Sequence, residues 1–218
     1  MTAASTARIA VAAPSRAAAD AGARIGAAGG GAVDAAVAAM MVCLVTEPGI
    51  VSLAGGAFAT VLPGPGPGQR AVTVDGYVEM PGRGLPPAAF GRGLRQLVTT
   101  YGGRTEMTVG HGSAATPGVL RALELVHWRW GRLPWHIVLE PAREVARAGF
   151  PLGTASAYYL SHVRDDLFGP DPDSRDAIHH RDGRPVEAGE TMTIPHLADF
   201  VDRMAREGSA ALYTGDVA

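Results

Sequence analysis

The chain has 218 residues, 47% of them apolar, and a formal net charge of -2. That composition supports a substantial folded core and excludes a disordered chain, while the near-neutral charge supplies no basic field for nucleic acid or anionic lipid. All 19 cationic residues are Arg, spread without a block, and read as solvated surface charge. One cysteine, Cys43, excludes a disulfide framework and a cysteine metal site. The first residues show neither a charged n-region nor a sustained apolar h-region, and no run is long enough to span a membrane. The expectation is a cytoplasmic protein with no membrane or nucleic-acid partner.

In chain order, the alternation over residues 8–13 predicts a first strand, stopped by Pro14. Ser15 is placed to cap a helix over residues 16–28, closed by the glycines from Gly29. Residues 32–46 contain neither Gly nor Pro, and their only charge, Asp34, falls in the first turn, where the helix dipole favours an anion. This second helix would be about 22 Å long. Apolar residues surround its axis, with Cys43 among them, so it belongs inside a layered domain, and Pro48 stops it. Gly55 and Gly56 lead into a strand over residues 57–62, which pairs in a hairpin with residues 71–74 across the PGPGPG tract.

Residues 75–90 carry three prolines among glycines and predict an irregular surface excursion, with loop continuing through Thr105. A Gly-Pro turn then opens a helix over residues 118–130, and Pro134 opens another running to Ala148, kinked or divided at Pro141. Residues 165–182 read as a polar loop. Finally, Leu197, Phe200, Val201 and Met204 share one helical face.

Residue chemistry alone gives an α/β layered domain without a catalytic constellation. The seven histidines have no metal-site spacing: His179 and His180 are adjacent, and there is no HExxH. Ser113 in GHGSA fails the GxSxG pattern because His111 occupies the first glycine position. The glycine runs match neither the Rossmann nor the P-loop pattern, and no Lys exists to meet a phosphate. No cofactor and no metal are expected.

A sharper signal comes from ordered motifs. GGGAVDAAVAAMMVCLVTEPG followed by AGGAF resembles the N-terminal signature of the gamma-glutamyltransferase family. ATPGVLRAL, WGRLPWHIVLEPAREVARAGFPL and DGRPVEAGETMTIPHLADFVDRMAREGSAALYTGDVA resemble its later segments, so the resemblance covers roughly residues 14–218. It implies an α+β N-terminal-nucleophile hydrolase fold, an αββα sandwich of helices packed on a mainly antiparallel sheet. Residues 1–218 would form one incomplete domain, the N-terminal portion of a large subunit. It also implies a self-cleaving precursor whose small subunit begins with the Thr nucleophile, beyond this chain. No residue here takes the catalytic role by motif match.

The family binds the glutamyl α-carboxylate with an Arg in a D-x-R-E segment. The matching run here is Asp75-Gly76-Tyr77-Val78-Glu79-Met80-Pro81, so Tyr77 stands where the Arg is expected. Glu79 reaches the family Glu with one residue of slip, and Arg83 follows in the same loop. These three are the candidate substrate-binding residues. A phenol cannot reproduce the bidentate hold of a guanidinium on a carboxylate. The resemblance therefore implies acyl transfer or hydrolysis of a γ-glutamyl or related amide bond. Two alternatives stay open: an amide acylase with non-glutamyl specificity, and a catalytically silent fragment or interaction module.

Overall fold

A computed structural model describes residues 9–64, 66, 68–82, 84–214 and 217. Helices α1 (Arg16–Ala27) and α2 (Ala32–Thr46) come first, followed by the antiparallel hairpin β1 (Ala57–Val61) and β2 (Val72–Gly76). A second antiparallel hairpin, β3 (Arg95–Thr99) and β4 (Thr105–Val109), precedes helices α3 (Val119–Trp130) and α4 (Trp135–Ala148). Strand β5 (Phe150–Pro151), helices α5 (Thr154–Val163) and α6 (Pro172–Ala177), strand β6 (Thr191–Met192) and helices α7 (Leu197–Glu207) and α8 (Ala210–Tyr213) complete the order. β5 and β6 pair antiparallel, so the described residues combine helices with short antiparallel ladders, the mixed class expected.

Helix α2 is the centre of the core. Val37, Ala38, Met41, Val42 and Val45 are almost completely buried, and α2 packs against α1, α4 and α3. Burying an aliphatic side chain of the Val or Met class stabilises by roughly 1.5–3 kcal/mol, so this one helix anchors much of the fold. Alanines on α1 and α2 keep the two axes close; Ala18, Ala35 and Ala38 are at most 1% exposed. Ion pairs tie α4 to both sides. Arg24 on α1 bonds Glu144 and approaches Glu140 at 3.4 Å, while Arg143 and Arg147 meet Asp202 on α7.

Asp34 does more than face the helix dipole. It is 0% exposed, and its carboxylate accepts from the Gly31 N–H at 2.6 Å and the Arg132 N–H at 3.0 Å. The Leu133 N–H lies at 3.4 Å from Oδ1, as does His127 Nε2. One buried carboxylate thus closes the start of α2 and fastens it to the α3–α4 connection. Gly131 is required there, because a Cβ at that position would sit 2.5 Å from the His127 carbonyl.

Several expectations are corrected. The described residues of the first predicted strand, 9–13, form no ladder; Arg8 lies outside the described residues. Their apolar side chains pack on α1 instead, where Gly22 and Gly26 leave room: Cβ atoms there would come within 2.8 Å of Val11 and 3.1 Å of Ile9. The stretch through Thr105, expected as loop, contains β3 and the start of β4, whose hairpin buries Leu97, Thr99 and Val109. α5 was not anticipated. The loop expected over 165–182 contains α6, capped by the Asp171 side chain on the Ser174 N–H at 2.8 Å with Pro172 in its first turn. α4 runs undivided through Pro141. Ser15 caps α1 as expected, and the four-residue face of α7 packs on the core.

Candidate functional site

Glycines bring the candidate residues to one place. The Gly55 carbonyl accepts from the N–H groups of Gly118 and Val119 at 3.0 and 3.1 Å, satisfying donors that the first turn of α3 leaves unpaired. Gly56 lies against the end of β2, where a Cβ would stand 2.8 Å from the Val78 nitrogen. Gly76 is packed as tightly on α3, since a Cβ there would approach Ala122 Cβ to 2.3 Å and the Gly118 carbonyl to 2.9 Å. The β1 turn, the end of β2 and the start of α3 are therefore locked in contact.

Beyond this lock the chain turns. The Asp75 carboxylate accepts from the Tyr77 N–H at 2.9 Å, and Glu79 pairs with Thr116 through two backbone bonds of 3.0 and 2.8 Å. Tyr77 and Glu79 are thus brought to one edge, as their sequence spacing requires, while Arg83 lies outside the described residues. No guanidinium of the described residues occupies the Tyr77 position; its ring stacks on Phe58, with centroids 5.6 Å apart and planes 12° apart. Phe58 pairs in register with Asp75, which puts Tyr77, two residues on, diagonally across the same face. The two rings are 61% and 62% exposed.

Tyr77 also lines a cleft of about 610 Å³ walled by Met80, Leu85, Phe90 and Leu94, with Arg92 and His111 in its lining. Ser113, in the same lining, donates its hydroxyl to the Gly110 carbonyl at 2.7 Å. A second cleft of about 770 Å³ runs past Gly55–Ala57, between α2 and α7, and is lined mostly by apolar side chains. Chemically, the first cleft offers aromatic faces, the Arg92 guanidinium and the His111 imidazole, and the second mainly apolar contact. Among the described residues no group of three or more His, Cys, Asp and Glu side chains could hold a metal ion. No helix of the described residues is long and apolar enough to cross a membrane. Cys43 is inert by placement: burial, with the Glu47 carboxylate nearby, pushes its thiol up to about 12.

Sequence reasoning missed Phe58 as a partner of Tyr77. The signal was present as a Phe directly after the glycine turn and a Tyr directly after β2, yet only the hairpin register shows that they share a face.

Comparison with known proteins places these features. The gamma-glutamyltranspeptidase family model matches residues 18–218. A glutathione hydrolase proenzyme of Pseudomonas aeruginosa is 31% identical over 209 residues, covering 96% of this chain and 35% of that protein. The glutathione hydrolase proenzyme of Escherichia coli is 28% identical over 187 residues, covering 86% of this chain and 30% of that protein. The chain thus spans about a third of the length of these relatives. Helicobacter pylori gamma-glutamyltranspeptidase superposes with a TM-score of 0.79 at 21% identity, over 97% of this chain and 57% of that one. Cephalosporin acylase from Bacillus halodurans superposes with a TM-score of 0.69 at 26% identity, over 92% of this chain and 36% of that one. The arrangement of helices and antiparallel strands is that of the N-terminal-nucleophile hydrolases. From the family model across nearly all of its length and the matching fold, the chain belongs to the gamma-glutamyltranspeptidase family.

Proposed function

We propose that this chain is the N-terminal portion of the large subunit of an enzyme that hydrolyses or transfers an acyl group from an amide, through an acyl-Thr intermediate. The observation that carries this reading is the family match over residues 18–218. The Thr lies outside this chain, on a small subunit that would be its partner. In such chemistry the Thr hydroxyl attacks the amide carbonyl, its α-amine takes the proton, and backbone N–H groups stabilise the oxyanion. The acyl group then passes to water or to an amine. This chain would contribute part of the acyl pocket and the core supporting it.

A specific observation favours a second reading within the same chemistry. Tyr77 is stacked on Phe58, and the motif resemblance puts it where a glutamyl α-carboxylate would be held by an Arg. Charge-assisted hydrogen bonds contribute about 1.5–3 kcal/mol each. An acyl group without an α-carboxylate therefore fits this edge better than γ-glutamyl. The test is turnover of a γ-glutamyl anilide against anilides lacking the α-carboxylate, by the full-length protein. Expected is a preference for the latter, with Tyr77→Arg raising γ-glutamyl turnover by roughly tenfold to a hundredfold. A strong wild-type preference for the γ-glutamyl compound would restore the first specificity. Turnover of neither class would remove the amide-cleaving reading.

A further inference from the structure

The geometry points to the Phe58–Tyr77 pair as the specificity-determining surface for a planar aromatic acyl group, a proposal that rests on the acyl-pocket reading above. Two aromatic rings lie nearly parallel at 5.6 Å and are both more than half exposed. Phe and Tyr bury on the order of 150–250 Å² each when covered, so leaving both in water forfeits a large apolar gain unless something seats on them. The adjoining cleft is of a size suited to a small molecule, and its apolar wall is made by Met80, Leu85, Phe90 and Leu94. Its lining includes Arg92 and His111 and, among the described residues, no Asp or Glu. A ligand with a flat apolar body complements that combination, with an anionic end directed to Arg92 and His111 in the cleft and away from the Asp75 carboxylate, which lies on the platform face and is engaged by the Tyr77 N–H.

Rigidity supports the same assignment. Phe58 lies within β1, and Tyr77 follows directly on Gly76, which has no space to move against α3. The Asp75 carboxylate also fixes the Tyr77 backbone N–H. The platform is therefore held by β1 on one side and, on the other, by the residue that directly follows β2, its N–H fixed by Asp75, so little ordering cost is added on binding.

The experiment is calorimetric titration of the full-length protein with phenylacetate and with cyclohexylacetate, which matches it in charge and approximate size but lacks a planar ring. Phenylacetate is expected to bind about threefold to tenfold more tightly, the range an aromatic stack contributes. Phe58→Leu and Tyr77→Leu should each remove most of that preference, whereas Tyr77→Phe should keep it. Equal affinities, no binding of either acid, or a preference that survives both Leu variants overturns the proposal. No phenylacetate binding together with a sharply lowered unfolding midpoint for Phe58→Leu would mean that another part of the protein covers the pair, which also overturns it. Phenylacetate binding that depends on Phe58, with no anilide turned over, would instead leave the aromatic platform standing and remove amide cleavage.

Discussion

Removing the Asp34 carboxylate, itself 0% exposed, leaves the part-buried N–H groups of Gly31, Arg132 and Leu133 without their acceptor. A buried donor left unsatisfied costs about 1–3 kcal/mol. Asp34→Ala is therefore expected to lose ~3 kcal/mol or more, read as a lower denaturant midpoint; an unchanged midpoint would show that other groups can meet these donors. Cys43 should resist alkylation at pH 8 in the folded protein and react at the unfolding rate, because its thiolate is disfavoured by burial. Glu190 behaves oppositely. Arg184, the Glu187 N–H and His180 hold its carboxyl down to about 2 from an ordinary 4.5. Its native form is favoured above the unfolded value, so this contribution is complete above about pH 5 and is lost as pH falls toward 2. The group is partly exposed, and solvent screens the effect. NMR titration of the Glu190 side chain checks this, and an ordinary titration midpoint would mean that the Arg184 contact does not persist in solution.

At the scale of elements, the contact between β2 and α3 depends on having no side chain at Gly76 and Gly118. A Cβ at Gly118 would lie 2.3 Å from the carbonyls of Gly76 and Tyr77. Gly76→Ala is expected to cost about 1–3 kcal/mol, the usual range for overpacking, whereas Gly64→Ala, with nothing within 4 Å, should cost far less. Thermal unfolding of the two variants makes the comparison; equal midpoints would contradict the tight packing. Legibility differed by element. Helices α1 and α2 were readable because capping, glycine and proline signals are local. The stretch over residues 9–13 misled because alternating apolar residues suit packing on a helix with glycine gaps as well as a strand, and among the described residues the contact of Ile9 and Val11 with Gly26 and Gly22 decides. The β3–β4 hairpin was obscured by its short strands, of which Leu97, Thr99 and Val109 are the buried residues.

For the whole molecule, the walls of the apolar cleft of about 770 Å³ leave much apolar surface open in a segment that spans 57% of the H. pylori chain it resembles. Residues 1–218 made alone are expected to bind an apolar fluorescent dye and self-associate, and the full-length protein to do neither. A dye-silent, monomeric segment would show that these surfaces close without further chain. By itself the sequence determined the family and the central helix, because motifs and periodicity are written along the chain. Only the tertiary structure decided that Asp34 is a buried fastening between helices and that Phe58 lies against Tyr77. Both depend on contacts between residues 19 to 99 positions apart, and the chain's local signals do not encode which distant groups meet.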